Sequence, residues 1–289
     1  MRTPPNYLER KCYIKKVISN DGTEIDYEMS GQGPALILVE GALCYQSFGP
    51  MTDLAKLLAP HFTVTTYDRR GRGGSRDTRP YAVEREIEDI GALIQEAGGS
   101  ACLFGTSSGA CLALETAIKL GKKVKKLALY EPPYQSGNGA RQAWRDYRKK
   151  LDEFLASGRR GDAVVLFMQF VGMPAEQVEG MRQVPVWPMF EVVAPTLIYD
   201  AAAMGEDRSV PVKRAAKVAS PALVMNGSAI PFMLDTATAL AKAIPHGLQR
   251  TLEGQTHNVD LQLLAPQLAA FFTDQSTHVR KVSGGEPNQ

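Results

Sequence analysis

Hydrophobic and polar positions along this chain fall into two alternating patterns. Ala35-Leu36-Ile37-Leu38-Val39 is apolar without interruption, which reads as a strand buried on both faces. Comparable strand-length runs recur at Phe62–Tyr67, Ala101–Phe104 and Val124–Tyr130. Between them lie stretches with helical spacing. Met51–Leu58 stops before Pro60, Val83–Ala97 carries Ile87, Ile90, Leu93 and Ile94 on one face, and Cys111–Ala117 is mostly small and apolar, as suits a buried helix. Ahead of this series, Lys11–Ser19 and Thr23–Met29 are joined by Asn20-Asp21-Gly22, a tight-turn signal that predicts an opening hairpin.

The alternation breaks after Glu131-Pro132-Pro133-Tyr134. From Gln135 to about Ala219 the spacing predicts helices only, at Ala140–Ser157, Gly161–Val171, Pro174–Met181 and Pro188–Met204. This block is rich in methionine and aromatic residues, which predicts an inserted helical cap with an apolar pocket. Strand pattern resumes at Ala222–Asn226, followed by a helix at Phe232–Ala243, a strand at Leu248–Leu252 and a helix at Leu261–Phe272. The expected organisation is an α/β core over residues 11–134 and 220–272, a helical cap over 135–219, and a polar, disordered tail over 273–289. Strands alternating with helices argue for a mostly parallel sheet with helices on both faces.

Composition narrows the class. At 289 residues and a net charge of +2, the chain suits one large α/β domain with no global bias toward a polyanion. The one basic cluster, Lys119–Lys126, reads as a solvated helix end, so nucleic acid is set aside as a partner. No apolar run reaches membrane-spanning length and no secretory segment is apparent, so a cytoplasmic protein without a membrane span is expected. Cys12, Cys44, Cys102 and Cys111 show no C-x-x-C pattern and read as reduced packing residues. No metal and no cofactor are expected.

Two glycine-rich turns carry candidate chemistry. Asp68-Arg69-Arg70-Gly71-Arg72-Gly73-Gly74-Ser75 lacks both G-K-[ST] and G-x-G-x-x-G, and reads as a shaped structural loop rather than a phosphate cradle. Gly105-Thr106-Ser107-Ser108-Gly109 is G-x-S-x-G set between a predicted strand and a predicted helix. In that context Ser107 is lifted over the sheet, with helix N–H groups aimed at the same spot. A serine nucleophile needs a base, and the chain holds four histidines. His61 precedes a strand on the opposite edge, His246 sits in a Pro-His-Gly turn and His278 lies in the tail. His257 follows the C-terminal end of a predicted strand, where α/β sites form.

Four features in order make the chain resemble the α/β-hydrolase family over residues 11 to 272. Gly105–Gly109 is similar to the family's nucleophile elbow, and Tyr67–Ser75 to its D-x-R-G-x-G-x-S loop. Val39-Glu40-Gly41-Ala42 stands where many members carry His-Gly, and Gly254-Gln255-Thr256-His257 resembles the catalytic histidine loop. The resemblance implies an eight-stranded, mostly parallel sheet with a cap between the sixth and seventh strands. It implies Ser107 as nucleophile, His257 as base, and an oxyanion hole from the backbone N–H groups of Ala42 and Ser108. The commonest family position for the triad acid, three residues past the glycine of the seventh strand, is Ile230 here. Some relatives place the acid after the sixth strand, which is Glu131 in this chain and the favoured choice. Asp235, Asp260 and Glu40 are reserves, and Asp260 also reads as a helix N-cap.

These readings lead to a serine hydrolase that cleaves esters or lactones of a hydrophobic small molecule. Leu43, Cys44, Phe167, Trp187 and Ile230 are the expected pocket residues. Ser107 in place of an aspartate argues against haloalkane dehalogenase and epoxide hydrolase chemistry. C–C bond hydrolysis, acyl transfer or cofactor-free perhydrolysis could use the same triad. A receptor-like binder with little turnover is the alternative from another class, favoured only by the missing acid at 230.

Overall fold

The computed structural model describes residues 15–274. The first residues of the expected hairpin, Cys12, His278 and all but the first two residues of the expected tail lie outside them. Eight strands form one sheet: β1 (Lys15–Ile18), β2 (Glu24–Ser30), β3 (Ala35–Val39), β4 (Thr63–Tyr67), β5 (Ala101–Thr106), β6 (Val124–Tyr130), β7 (Ala222–Gly227) and β8 (Gly247–Leu252). Their spatial order is β1-β2-β4-β3-β5-β6-β7-β8. The hairpin pairs antiparallel within itself and onto β4, and every later pairing is parallel.

Uninterrupted apolar strands here serve two cores, one on each face. On β3, Leu36 and Leu38 pack toward one side with Phe104 of β5 and Met225 of β7. That side is covered by α1 (Met51–Leu58) and α11 (Leu261–Thr273). Ile37 and Val39 turn to the other side with Leu103, Leu129 and Val224. There α2 (Val83–Glu96), α3 (Ser108–Leu120) and α10 (Pro231–Ala243) complete the layer. The period-2 geometry of a strand divides one apolar run between the two layers. The Asp260 side chain accepts a hydrogen bond from the Gln262 N–H at 2.8 Å and caps α11.

Between β6 and β7 the chain builds α4 (Asn138–Ala156), α5 (Arg160–Phe170), α6 (Ala175–Met181), α7 (Trp187–Val193), α8 (Leu197–Met204) and α9 (Val212–Ala215). The sequence spacing predicted one helix over 188–204. The structure breaks it at a 3-10 turn, Ala194–Thr196, where Pro195 cannot donate to the helical ladder. Stacked rings hold the block together, Tyr147 against Phe170 at 4.3 Å and against Trp144 at 5.4 Å. No helix of the described residues is long and apolar enough to cross a membrane.

The glycine-rich loop after β4 holds three arginines whose side chains are almost wholly buried, Arg69, Arg70 and Arg72. Arg70 grips Asp89 of α2 through two hydrogen bonds of 2.8 and 2.7 Å and reaches Asp21 at 2.9 Å. Arg69 grips Glu86 of α2 at 2.7 and 2.8 Å, and Arg72 turns the opposite way, toward the helical block. Buried charges persist only when paired, and each of these arginines has at least one carboxylate on it.

Candidate active site

Ser107 stands at the junction of β5 and α3 with φ 54° and ψ −129°. A non-glycine residue in that region is strained, at a cost of roughly 1–3 kcal/mol, and such strain collects at functional sites. The flanking glycines are explained by close approach. A Cβ on Gly105 would lie 2.4 Å from the Gly109 carbonyl oxygen, and one on Gly109 would lie 2.4 Å from the carbonyl oxygens of both Val39 and Glu40. β5, the start of α3 and the end of β3 are thus in backbone contact. A Cβ on Gly41 would sit 3.2 Å from the Ser107 Cβ, so the loop after β3 passes directly beside the serine. That places Ala42 and the first turn of α3 on either side of Ser107. The opening N–H groups of a helix have no intrahelical acceptor, so the Ser108 N–H is free to serve a ligand.

His257 follows β8 on a loop tied to its neighbours. The Tyr130 hydroxyl donates to the Thr256 carbonyl at 2.5 Å, and the Gly254 N–H donates to Ser228 Oγ at 2.8 Å. The imidazole Nδ1 lies 2.6 Å from Glu131 Oε2. The other carboxylate oxygen of Glu131 accepts from the Gly227 N–H at 2.9 Å, and the residue is fully buried. Glu131 itself adopts φ 46°, a second strained residue at a strand end. With Nδ1–H donated to the carboxylate, Nε2 is the nitrogen left to accept a proton. The histidine side chain remains 39 % exposed, open to the site that it serves. Neither of the two other candidate acids near β7 and β8 holds this place: Asp235 is exposed on α10, and Asp260 caps α11.

Ser107 and His257 line one cavity of about 370 Å³, with Thr106, Asn258 and Glu40 as its other polar residues. Its apolar lining includes Leu54 of α1, Leu261 and Leu264 of α11, Phe167 of α5, and Val171. Val171 is 61 % exposed and marks the rim. Of the expected pocket residues, Cys44 and Phe167 are on these walls. Leu43, Trp187 and Ile230 are not. Leu43 is buried in the core with φ 60°. Trp187 faces the interior of the helical block, its indole N–H donating to Glu191 at 2.8 Å and its ring edge-on to Phe190. Ile230 is the residue preceding α10. A rich aromatic composition was no guide to which rings faced the cavity.

Burial pushes the Glu40 carboxyl up to about 7, offset in part by the Met51 N–H that it accepts at 3.0 Å and by Arg72 and Arg69 nearby. The same desolvation pushes the Cys44 thiol up to about 12. No group of three His, Cys, Asp or Glu side chains among the described residues is arranged to hold a metal ion.

One contact was not foreseen in the sequence. Asp200 of α8, 1 % exposed, accepts from the Ser108 hydroxyl at 2.7 Å, from Arg69 at 2.6 Å and from Arg72 at 2.7 Å. Those arginines in turn donate to backbone carbonyls of the loop after β3: Arg69 to Glu40 at 3.2 Å, Arg72 to Gly41 at 2.6 Å and to Cys44 at 3.2 Å. Arg72 and Arg69 hold the Asp200 carboxyl below its ordinary value against the pull of desolvation.

Comparison with known proteins is consistent with this geometry. An α/β hydrolase from Sphaerobacter thermophilus is 50 % identical, with a TM-score of 0.81 over 90 % of this chain and all of that one. The enol-lactonase of Burkholderia xenovorans, at 22 % identity and a TM-score of 0.64, covers 90 % of this chain and shares the fold. An uncharacterized hydrolase of Bacillus subtilis is 33 % identical over 156 residues, half of this chain and 54 % of that protein. A pimeloyl-[acyl-carrier protein] methyl ester esterase of Xanthomonas oryzae is 33 % identical over 153 residues, 47 % of this chain and 57 % of its own length. The chain spans little more than half the length of these curated relatives. The profile described as "Alpha/beta hydrolase family" matches residues 36–273, which is most of the chain. With that match and the sheet order described above, the chain belongs to the α/β hydrolase family.

Proposed function

We propose that the protein is a serine hydrolase that cleaves carboxylic esters or lactones of a hydrophobic small molecule. The observation that carries the proposal is the 2.6 Å contact between Glu131 and His257, beside a cavity that both His257 and a strained Ser107 line. In this reading His257 Nε2 takes the Ser107 hydroxyl proton as Oγ attacks the substrate carbonyl. The backbone N–H groups of Ala42 and Ser108 stabilise the resulting oxyanion, a role worth on the order of 3 kcal/mol per donor in serine hydrolases. His257 then returns the proton to the departing alkoxide, and water, deprotonated by the same nitrogen, releases the acid from Ser107.

The helices between β6 and β7 act as a cap, with Phe167 and Val171 as its contribution to the cavity. Mostly apolar walls and a volume of about 370 Å³ suit a compact hydrophobic substrate. Names carried by relatives, an ester hydrolase and an enol-lactonase, agree with an acyl substrate. The Glu131–His257 contact supports turnover over the receptor-like binder that Ile230 favoured.

Short-chain p-nitrophenyl esters and a fluorophosphonate probe test the proposal together. The wild-type protein should hydrolyse the former and be labelled by the latter, and Ser107→Ala should abolish both. Labelling or turnover that persists in that variant overturns the assignment.

A further inference from the structure

Four ionised side chains lie buried behind the loop after β3, at the point where the helical block meets the sheet. Arg69 and Arg72 carry positive charge, and Glu86 and Asp200 carry negative charge, so the cluster is neutral as a whole. It does not contact the cavity, yet it touches both backbone segments that flank Ser107. The loop after β3 presents three carbonyls to the two guanidinium groups, those of Glu40, Gly41 and Cys44. The start of α3 is reached through the Ser108 hydroxyl, which donates to Asp200 Oδ1. Asp200 Oδ1 also holds Arg69 and its Oδ2 holds Arg72, so one carboxylate links both sides.

The direction of these bonds matters. A peptide unit whose carbonyl is pinned has its N–H pinned on the opposite edge, because the unit is planar. The carbonyl of Gly41 belongs to the same peptide unit as the N–H of Ala42, and Arg72 holds that carbonyl at 2.6 Å. Arg72 therefore fixes the orientation of the Ala42 N–H. The Ser108 hydroxyl, tied to Asp200, fixes the residue whose own N–H is the second donor. Oxyanion stabilisation depends on donors that need no reorganisation during the reaction.

We infer that Asp200 is a positioning residue for the oxyanion hole: through Arg72 and the Ser108 hydroxyl it orients both N–H donors, and it supplies this from the cap. The inference rests on the proposed hydrolase reading, since it assumes that Ser107 forms a tetrahedral adduct. Glu86 secures Arg69, and the Tyr81 hydroxyl, donating to Glu86 at 2.9 Å, extends the arrangement to the loop before α2. Asp200 is the carboxylate in this cluster that reaches both guanidinium groups and Ser108 at once.

The test compares Asp200→Asn with Asp89→Asn. The second breaks a buried arginine pair from the same loop that has no contact with the residues beside Ser107. Three readouts are taken on protein shown to be folded: kcat and KM on a short p-nitrophenyl ester, the affinity of a trifluoromethyl ketone, and the rate of fluorophosphonate labelling. Asp200→Asn should lower kcat about 10- to 100-fold with KM within about threefold, and weaken the ketone and slow the labelling in parallel. Asp89→Asn should lower thermal stability while leaving kcat, KM and ketone affinity unchanged. Ser108→Ala, which removes one hydroxyl and keeps the backbone N–H, should give a smaller loss of the same kind, and should add little to Asp200→Asn.

Unchanged kcat and ketone affinity in folded Asp200→Asn overturn the inference, as does an equal loss in Asp89→Asn. Should Asp200→Asn fail to fold, Ser108→Ala decides: a neutral result on all three readouts also overturns it. Failure of the parent reading is distinguishable, because then the wild-type Ser107 is not labelled at all.

Discussion

Glu131 Oε2 lies 2.6 Å from His257 Nδ1, so the carboxylate that orients this imidazole comes from the end of β6 and not from the end of β7. Two strand ends that are neighbours in the sheet can offer an acid to the same nitrogen. At the β7 end the residue in question is Ile230, which cannot ionise. Glu131→Gln keeps the shape and removes the charge that stabilises the imidazolium. Steady-state kinetics should show a loss of several hundredfold or more in kcat. Asp235→Asn, on the exposed side of α10, should change kcat less than about twofold. The reverse ranking would move the acid to α10.

Glu40 makes stability depend on pH in a definite direction. Its folded-state value of about 7 is above the ordinary 4.5, so the folded protein holds the proton more tightly than the unfolded chain. Between these values the unfolded chain ionises first and gains stability relative to the folded form. This group therefore stabilises the fold fully below pH 4.5, and the contribution is lost as pH rises to about 7. Glu40→Gln retains an oxygen to accept the Met51 N–H and cannot ionise. In urea titrations at pH 5 and pH 7.5, the wild type should lose on the order of 2 kcal/mol relative to the variant.

Phe167 and Trp187 are both aromatic residues of the helical block between β6 and β7, and they should respond differently to truncation. Phe167 faces the cavity. Phe167→Ala should enlarge the site and shift preference toward longer acyl chains, read as the ratio of kcat/KM for p-nitrophenyl octanoate over acetate. Trp187 packs inward against Phe190 and Arg182. Trp187→Ala should cost about 3 kcal/mol of stability in a denaturant melt and leave that ratio within about twofold.

Gly109 has no room for a methyl group. An added Cβ would meet two backbone carbonyl oxygens at 2.4 Å, and neither can rotate aside as a side chain would. Gly109→Ala should force β3 and α3 apart, with a loss of more than about 2 kcal/mol in stability. Fluorophosphonate labelling of Ser107 should fall with it. A variant of wild-type stability and labelling rate would show that the contact is not tight.

Much of this arrangement was legible in the residues. Strands buried on both faces, the serine turn and the lone well-placed histidine each announce themselves through local pattern, because period and turn chemistry are local properties. Glu131 was identifiable once Ile230 removed its usual rival, since strand ends are countable in a sequence. Asp200 was not. Its role depends on a contact with Ser108, 92 positions away, and on Arg72, 128 positions away. Nothing in Leu197-Ile198-Tyr199-Asp200 distinguishes that aspartate from a solvated one. The three consecutive-turn arginines were equally silent, because charge patterning argues for exposure and only the folded chain brings carboxylates to meet them. Pocket walls failed for a related reason: the helical block between β6 and β7 buries most of its rings in itself, and composition cannot say which few line the cavity.

The buried ion cluster also bears on how a molecule gets in and out. α8 is fastened to the sheet by charges that would have to be separated and hydrated to let it move, a change that costs several kcal/mol. The two sides of the helical block are therefore held differently. Among the described residues no salt bridge ties α5, whose Phe167 lines the cavity, to the sheet; its Asp162 pairs with Arg159 and Arg182 within the helical block. On the proposed function, exchange of substrate and product falls to the apolar edge around Phe167 and Val171 rather than to α8.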